Sequence, residues 1–367
     1  MKILHILYSG LGGHGNVFFS MVKGDVKNEI EYEALFYGIE NVREEYIEQC
    51  NESNIKYYLA KKKVGFDFSY YKSIVHFIKE SNPDIVFLHG SAYILLTRIA
   101  LFFSKNNYKI VVRETQANHL KTKAQWVTLA ISMFLADTIV CLTKEFAEEI
   151  SKKLKRLFRK NKIIVISNGI DLSKFKIRTE NENNNEFNIG MQSRIVSIKD
   201  YITLLKAFAI VKKIKNNSKE IIKLKIAGDG DLKTQLILLS KQLGIEKDVI
   251  FTGMLNEHDL ILFLQSLDLY VHASLGETMS TAIMQAMACG LPIIASDVNG
   301  INNMVTNGDT GILVPAKNEV LLSDAILNCI NNIKLRNTLS SNGYNYALNN
   351  FSNQIMFKTY NNRVFIK

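Results

Sequence analysis

Short apolar runs alternate along the chain with longer segments whose apolar positions recur at the helical period. "KILHILYS" reads as a strand, followed by the glycine-rich "GLGGHGN" and a helix from about Val17. "EYEALFYG", "IKYYLA", "PDIVFLHG", "YKIVVRET", "DTIVCLT" and "KIIVISNG" read as further strands, with helical "YYKSIVHFIKE", "YILLTRIALFFSK", "AQWVTLAISMFLA" and "KEFAEEISKKLKRLF" among them. The polar stretch "IRTENENNNEFN", residues 177–188, breaks the pattern and reads as a linker. The alternation then resumes. The strands are "FNIGMQS", "IKLKIAGDG", "DVIFTG", "LDLYVHAS", "LPIIASD" and "GILVP", the helices include "DYITLLKAFAIVKKI" and "STAIMQAMACG", and the end is helical. Such alternation predicts mostly parallel sheets covered on both faces. The expectation is an α/β chain of two Rossmann-like domains in tandem, 1–176 and 189–345, facing a central cleft. A helical segment, 346–367, is expected to pack back toward the first domain. The carboxyl ends of such sheets are where ligands bind.

The length of 367 residues fits two domains, and 47% hydrophobic with 22% charged residues is an ordinary globular balance. Cys50, Cys141, Cys289 and Cys329 are far apart with no paired spacing, which argues against a disulfide framework or a zinc site. The apolar runs "AYILLTRIALFF" and "WVTLAISMFLADTIVCL" are interrupted by Arg98 and Asp137 and fall short of a membrane span. A cytoplasmic protein is expected. The net charge of +10 is uneven: residues 1–178 hold 27 Lys and Arg against 18 Asp and Glu, the remainder 18 against 17. "KKK" at 61–63 and "KKLKRLFRKNK" at 152–162 supply much of the excess. This points to an anionic partner for the first domain, or to solvated helix faces.

Four stretches carry candidate chemistry. The loop "SGLGGHGN" (9–16) joins a strand to a helix start, where backbone amides can approach an anion; it fits neither the dinucleotide fingerprint nor a P-loop. "GMQSRIVSIKDYITLLKAF" (190–208) sets Arg194 and Lys199 between a strand and a helix, two cations that suit a diphosphate or simply face water. "GETMSTAIMQAMACG" (276–290) puts Glu277 beside a helix mouth, with amides of Met279, Ser280 and Thr281 at its start and Gln285 further in. Thr278, Ser280 or Thr281 also suits the N-cap. "LHGS" (88–91) and "RETQANHLK" (113–121) follow strands of the first domain, so His89, Arg113, Glu114 and His119 are candidates for touching a substrate.

With these residues assembled, the chain resembles glycosyltransferase family 4, retaining enzymes of the GT-B fold and here of the surface-polysaccharide type. The most specific stretch is "GETMSTAIMQAMACGLPIIASDVNGINNMVTNGDTGILVP", residues 276–315, supported by "VISNGIDLSKF", "GMQSRIVSIKDYITLLKAF", "KIAGDGDLKTQL" and "VIFTGML". The resemblance implies a nucleotide-diphosphate sugar, UDP by default, bound mainly by the second domain. It implies that Arg194 and Lys199 neutralise the departing diphosphate and that the amides near Met279, Ser280 and Thr281 add to that. Glu277 would lie near the transferred sugar, and Leu255 and the loop Gly228–Gly230 near the base. Gly13, His14, His89, Glu114 and His119 would lie toward the acceptor, with Gly13 also close to the donor. No metal or other cofactor is expected, because side-chain cations and helix dipoles take that role. The acceptor would be a glycan or polyprenyl-diphosphate-linked molecule, with the basic first domain held at the anionic inner face of the cell membrane. No nucleic-acid partner is expected, since no recognition motif or aromatic platform is present. One departure stands out: the family's second Glu is Gln285 here, with one acceptor oxygen and an amide donor. Three other readings follow: a catalytically silent nucleotide-sugar-binding protein, a nucleotide-sugar epimerase of similar shape and, from the charge alone, a nucleic-acid binder.

Overall fold

The structure, a computed structural model, describes every residue except 11–12, 66, 105, 158–161, 178–185, 219 and 366–367, and only the backbone of residues 119 and 156. The chain forms two compact units. One joins Met1–Gly169 to the C-terminal segment Ser352–Lys367; the other is Ile170–Phe351.

The first unit is built on seven strands: β1 (Lys2–Tyr8), β2 (Glu31–Gly38), β3 (Lys56–Lys61), β4 (Ile85–His89), β5 (Lys109–Arg113), β6 (Thr138–Cys141) and β7 (Ile163–Val165). They pair in parallel in the order β3-β2-β1-β4-β5-β6-β7. Both faces are covered, and the central strands β4, β5 and β6 read as nearly unbroken apolar runs. Along β1, Ile3 and Leu7 enter one core with Phe18, Phe87 and Val111, while Leu4 and Ile6 enter the opposite core with Val86, Leu88 and Ile139. The first of these cores is completed from the far end of the sequence by Met356, Phe357, Tyr360, Val364 and Phe365. Helices start where a side chain can satisfy the first free amides. Asp67 accepts from the Tyr70 amide and Thr143 from the Phe146 amide, and Thr122 forms a capping box with Gln125.

The second unit holds β8 (Glu186–Gln192), β9 (Ile221–Ala227), β10 (Val249–Gly253), β11 (Leu269–His272), β12 (Ile293–Ser296) and β13 (Ile312–Val314). They too are parallel, in the order β10-β9-β8-β11-β12-β13. In each sheet the strand order reverses beside the first strand, between β1 and β4 and between β8 and β11. That reversal opens a crevice at the carboxyl ends of the strands.

Two expected boundaries differ from the structure, and one helix lies where none was read. The second unit begins at Ile170, ahead of the expected linker 177–188; Glu186–Asn188 already belong to β8, and residues 178–185 lie outside those described. The expected C-terminal segment 346–367 divides: residues up to Asn350 finish the helix Ile333–Asn350, and Ser352–Lys367 joins the first unit. A helix, Glu44–Glu52, lies between β2 and β3; it is mostly polar and buries only Tyr46 and Cys50, so its apolar pattern is weak.

Candidate active site

In the second unit, the loops after β8 and β11 converge at the strand-order reversal. The Lys199 ammonium is in contact with Glu277 Oε1, and both side chains are largely buried. His272, the last residue of β11, comes within 2.9 Å of the same Oε1 through Nε2. Its other ring nitrogen meets Tyr270 Oη at 3.2 Å, and that hydroxyl donates to the Gln192 carbonyl at the end of β8. The Gln192 side-chain amide donates to Gln285 Oε1 at 2.5 Å. One run of polar contacts therefore links Lys199, Glu277, His272, Tyr270, Gln192 and Gln285. Burial, and after it the Arg194 guanidinium, pulls the Lys199 ammonium down to about 7. The Glu277 carboxylate at contact opposes this shift. Burial, and then Lys199, holds His272 well below its ordinary value. Arg194 itself is exposed.

The backbone around this cluster leaves no room for side chains. Gly228 has φ +138°, and a Cβ there would lie 1.9 Å from the Ser193 carbonyl oxygen. Gly230 would meet the Ile195 carbonyl in the same way, and the Ile195 amide donates to the Asp229 carbonyl. The two loops are thus zipped together beside Arg194. Gly300, with φ +85°, would push a Cβ to 2.3 Å from the Glu277 carbonyl oxygen, so it seats the loop that carries Glu277. Leu255 is half-buried just beyond β10.

The helix after Glu277 spans Thr281–Ala288, and Ser280 is its N-cap. Of the three expected amides, that of Ser280 points at Met304 Sδ, 3.2 Å away. The amides of Thr281 and Ala282 have no acceptor among the described residues, as expected for a helix's first turn.

In the first unit, the reversal between β1 and β4 gathers histidines. His5 Nδ1 lies 3.1 Å from His89 Nε2, and the His89 and His14 rings are 5.7 Å apart. His14 Nε2 is 3.0 Å from Thr115 Oγ1. Gly13 begins the helix Gly13–Gly24 and is exposed. Burial pulls His5 to about 3 and His14 to about 4, with Arg113 adding to both, and it lowers His89 as well. Glu114 does not join them. Its neighbour Arg113 pairs with His89 in register, so Glu114 turns to the other face and lies 3.5 Å from the buried Lys121 ammonium, against Phe146. His119 sits in the turn Asn118–Leu120, and its side chain lies outside the described residues.

The sequence reading did not find Gln192, Tyr270, His272 or Gly300. The three polar residues lie in or at the end of buried parallel strands, where an apolar run hides them. The only local signal was a histidine and a tyrosine two apart, at the end of "LDLYVH". Among the described residues, no group of three His, Cys, Asp or Glu is placed to hold a metal, and no helix is long and apolar enough to cross a membrane.

Comparison with known proteins gives the family of the chain. Residues 11–174 match the model of Glycosyltransferase Family 4 and residues 173–346 that of Glycosyl transferases group 1. The chain is 31% identical over 205 residues to the alpha-monoglucosyldiacylglycerol synthase of Streptococcus pneumoniae, covering 52% of this chain and 45% of that protein. It is 27% identical to the UDP-Gal:alpha-D-GlcNAc-diphosphoundecaprenol alpha-1,3-galactosyltransferase of Escherichia coli, covering 76% of this chain and 74% of that protein. The crystal structure of Anabaena HepE in complex with UDP-glucose shares its fold at a TM-score of 0.82 and 19% identity, over 100% of both chains. The two model matches meet where the first unit gives way to the second, and the fold is GT-B. The chain belongs to the glycosyltransferases, with a family 4 half followed by a group 1 half.

Proposed function

We propose that the protein moves a sugar from a UDP-sugar to a glycan or polyprenyl-diphosphate-linked acceptor, with retention of anomeric configuration, in the assembly of a surface polysaccharide. The observation that carries this reading is the contact of Lys199 with Glu277, braced by His272, at the strand-order reversal of the second sheet. In this reading Lys199 and Arg194 take the negative charge that develops on the departing diphosphate, and the Thr281 amide adds to it. Free of substrate, Lys199 rests on Glu277; with donor bound, the ammonium turns to phosphate and Glu277 is released to the sugar's hydroxyls. Gln285 holds the ribose, and Gly228 and Leu255 flank the base. Positive charge comes from side chains, so the reading calls on no metal. His14 and His89 face the acceptor. The E. coli relative, which acts on a diphosphoundecaprenol-linked sugar, and the UDP-glucose complex of HepE support the donor and acceptor classes.

The same reading sets the first unit against an anionic membrane on its cytoplasmic side. The helices Ile94–Phe102 and Lys123–Leu135 expose Leu95, Ile99, Phe102, Val127 and Phe134, with Phe103 just beyond the first helix. Isolated exposed apolar residues are ordinary, but these share two helices of a strongly basic half. Each cation near such a surface contributes about 1 kcal/mol.

The test is nucleotide release from UDP-, GDP-, ADP- and dTDP-sugars with a membrane lipid extract as acceptor. Extract-dependent release of UDP supports the proposal. Tight UDP binding with no release from any donor favours a silent nucleotide-sugar-binding protein instead. That second reading has one observation behind it: the single acceptor oxygen of Gln285 is already engaged by Gln192.

A further inference from the structure

Arg113 is among the largest fully buried side chains of the protein, and among the described residues no carboxylate forms an ion pair with it; Glu114, next along the chain, acts on it only at longer range. Its Nη2 donates to Asn168 Oδ1, a neutral acceptor, while Nε and Nη1 are shielded and have no hydrogen-bond partner. The Tyr360 hydroxyl lies near the guanidinium but makes no well-aligned bond with it. The adjacent carboxylate, Glu114, is on the other face with Lys121, and among the described residues no ion pair includes Arg113. A guanidinium stays charged even when buried, and a buried charge left without a counter-charge costs several kcal/mol. Such an arrangement persists where something repays it.

The surroundings say what kind of group would. Arg113 ends β5 and pairs in register with His89 at the end of β4, inside the crevice where the first sheet's strand order reverses. His89 Nδ1 and His14 Nδ1 are shielded and lack partners as well. His14 stands in the first turn of the twelve-residue helix Gly13–Gly24, whose amino end adds partial positive charge. Neutral imidazoles next to a fixed cation can donate to an oxyanion without adding repulsion.

We propose that this crevice of the first unit binds a phosphate-bearing group, with Arg113 as its counter-charge and His89 and His14 as its hydrogen-bond donors. The inference rests on the acceptor reading above only for the origin of that phosphate, not for the site itself. A diphosphate linked to a lipid and a small free phosphate offer the same chemistry, and the experiment separates them.

Isothermal titration with inorganic diphosphate and with farnesyl diphosphate is run on the full chain carrying Arg194→Ala and Lys199→Ala. The second unit then contributes little, and the outcome does not depend on whether it binds a nucleotide sugar. Binding is expected, and Arg113→Gln in that background should weaken it at least tenfold. Tighter binding of the farnesyl form assigns the site to a lipid-linked group; equal binding assigns it to a free phosphate. Asn168→Asp provides a second arm that does not depend on Arg113→Gln keeping the fold. It supplies the missing carboxylate from within, so it should raise the melting temperature and abolish diphosphate binding together. Diphosphate binding unchanged in Asn168→Asp, or no binding of either probe to the background protein, overturns the proposal and leaves Arg113 a structural residue.

Discussion

Gln192 Nε2 donates to Gln285 Oε1 at 2.5 Å, so the end of the second unit's first strand is tied to the middle of the helix that follows Glu277. The pair closes a line of polar contacts that begins at Lys199.

Gln285→Glu keeps the Gln192 bond and adds a second, charged oxygen. UDP affinity measured by calorimetry should stay level or tighten by up to about tenfold, the scale of one charge-assisted hydrogen bond. A tenfold loss would remove Gln285 from the ribose.

Lys199→Ala should lower kcat for sugar transfer by about 10²–10³-fold, the usual effect of deleting one preorganised charge at a leaving group. Glu277→Ala should also abolish transfer, and it strands the Lys199 ammonium in a largely buried place. We expect about 3 kcal/mol of lost stability in urea denaturation. Full activity in both variants sinks the site assignment.

Gly300→Ala touches no ligand in this reading, yet its Cβ would collide with the Glu277 carbonyl. With φ +85° the backbone is strained for any other residue, at about 1 kcal/mol or more. Steady-state assays should show kcat reduced at least tenfold with UDP affinity little changed. Unaltered kcat would mean that the Glu277 loop is not held from below.

Acid should destabilise the first unit. His5, His14 and His89 have folded-state values below the ordinary 6.5, to about 3 for His5 and about 4 for His14. The unfolded chain therefore binds more protons than the folded one between those limits. Stability is complete above about pH 6.5 and is lost as pH falls toward 4 and 3, by up to about 1.4 kcal/mol per pH unit for each histidine. Urea midpoints at pH 7, 6 and 5 test this. His5→Phe, whose ring fits between Phe18 and Phe87, should shallow the slope by about one proton; an unchanged slope assigns the acid response elsewhere.

The architecture was legible in the sequence because both sheets are parallel and covered on two faces. Most strands are then short, mainly apolar runs between turn residues, such as "PDIVFLHG" and "LPIIASD". The helix Glu44–Glu52 was not, since it turns only Tyr46 and Cys50 inward. Lys199 and Glu277 could be named from their stretches and from family resemblance, though their contact could not. The bracing residues were hidden for a different reason. His272 matters through Tyr270 on its own strand and, beyond it, Gln192 on the neighbouring strand 80 or so positions away, and Arg113 stands out only once its lack of an ion-pair partner is visible. Spacing along a chain carries no record of such cross-strand meetings.

The return of Ser352–Lys367 to the first unit has a consequence for how the protein is made. Met356, Phe357, Tyr360, Val364 and Phe365 fill a core whose other walls are complete by Ile166. The half synthesised first is thus the half finished last, and its apolar face stays open while the whole second unit is translated. Domains usually fold as they emerge, amino end first. Here that order gives a nascent intermediate in which Phe87 lacks the Tyr360 and Phe365 rings that cover it, and a ribosome stalled shortly before residue 356 would release an aggregation-prone chain.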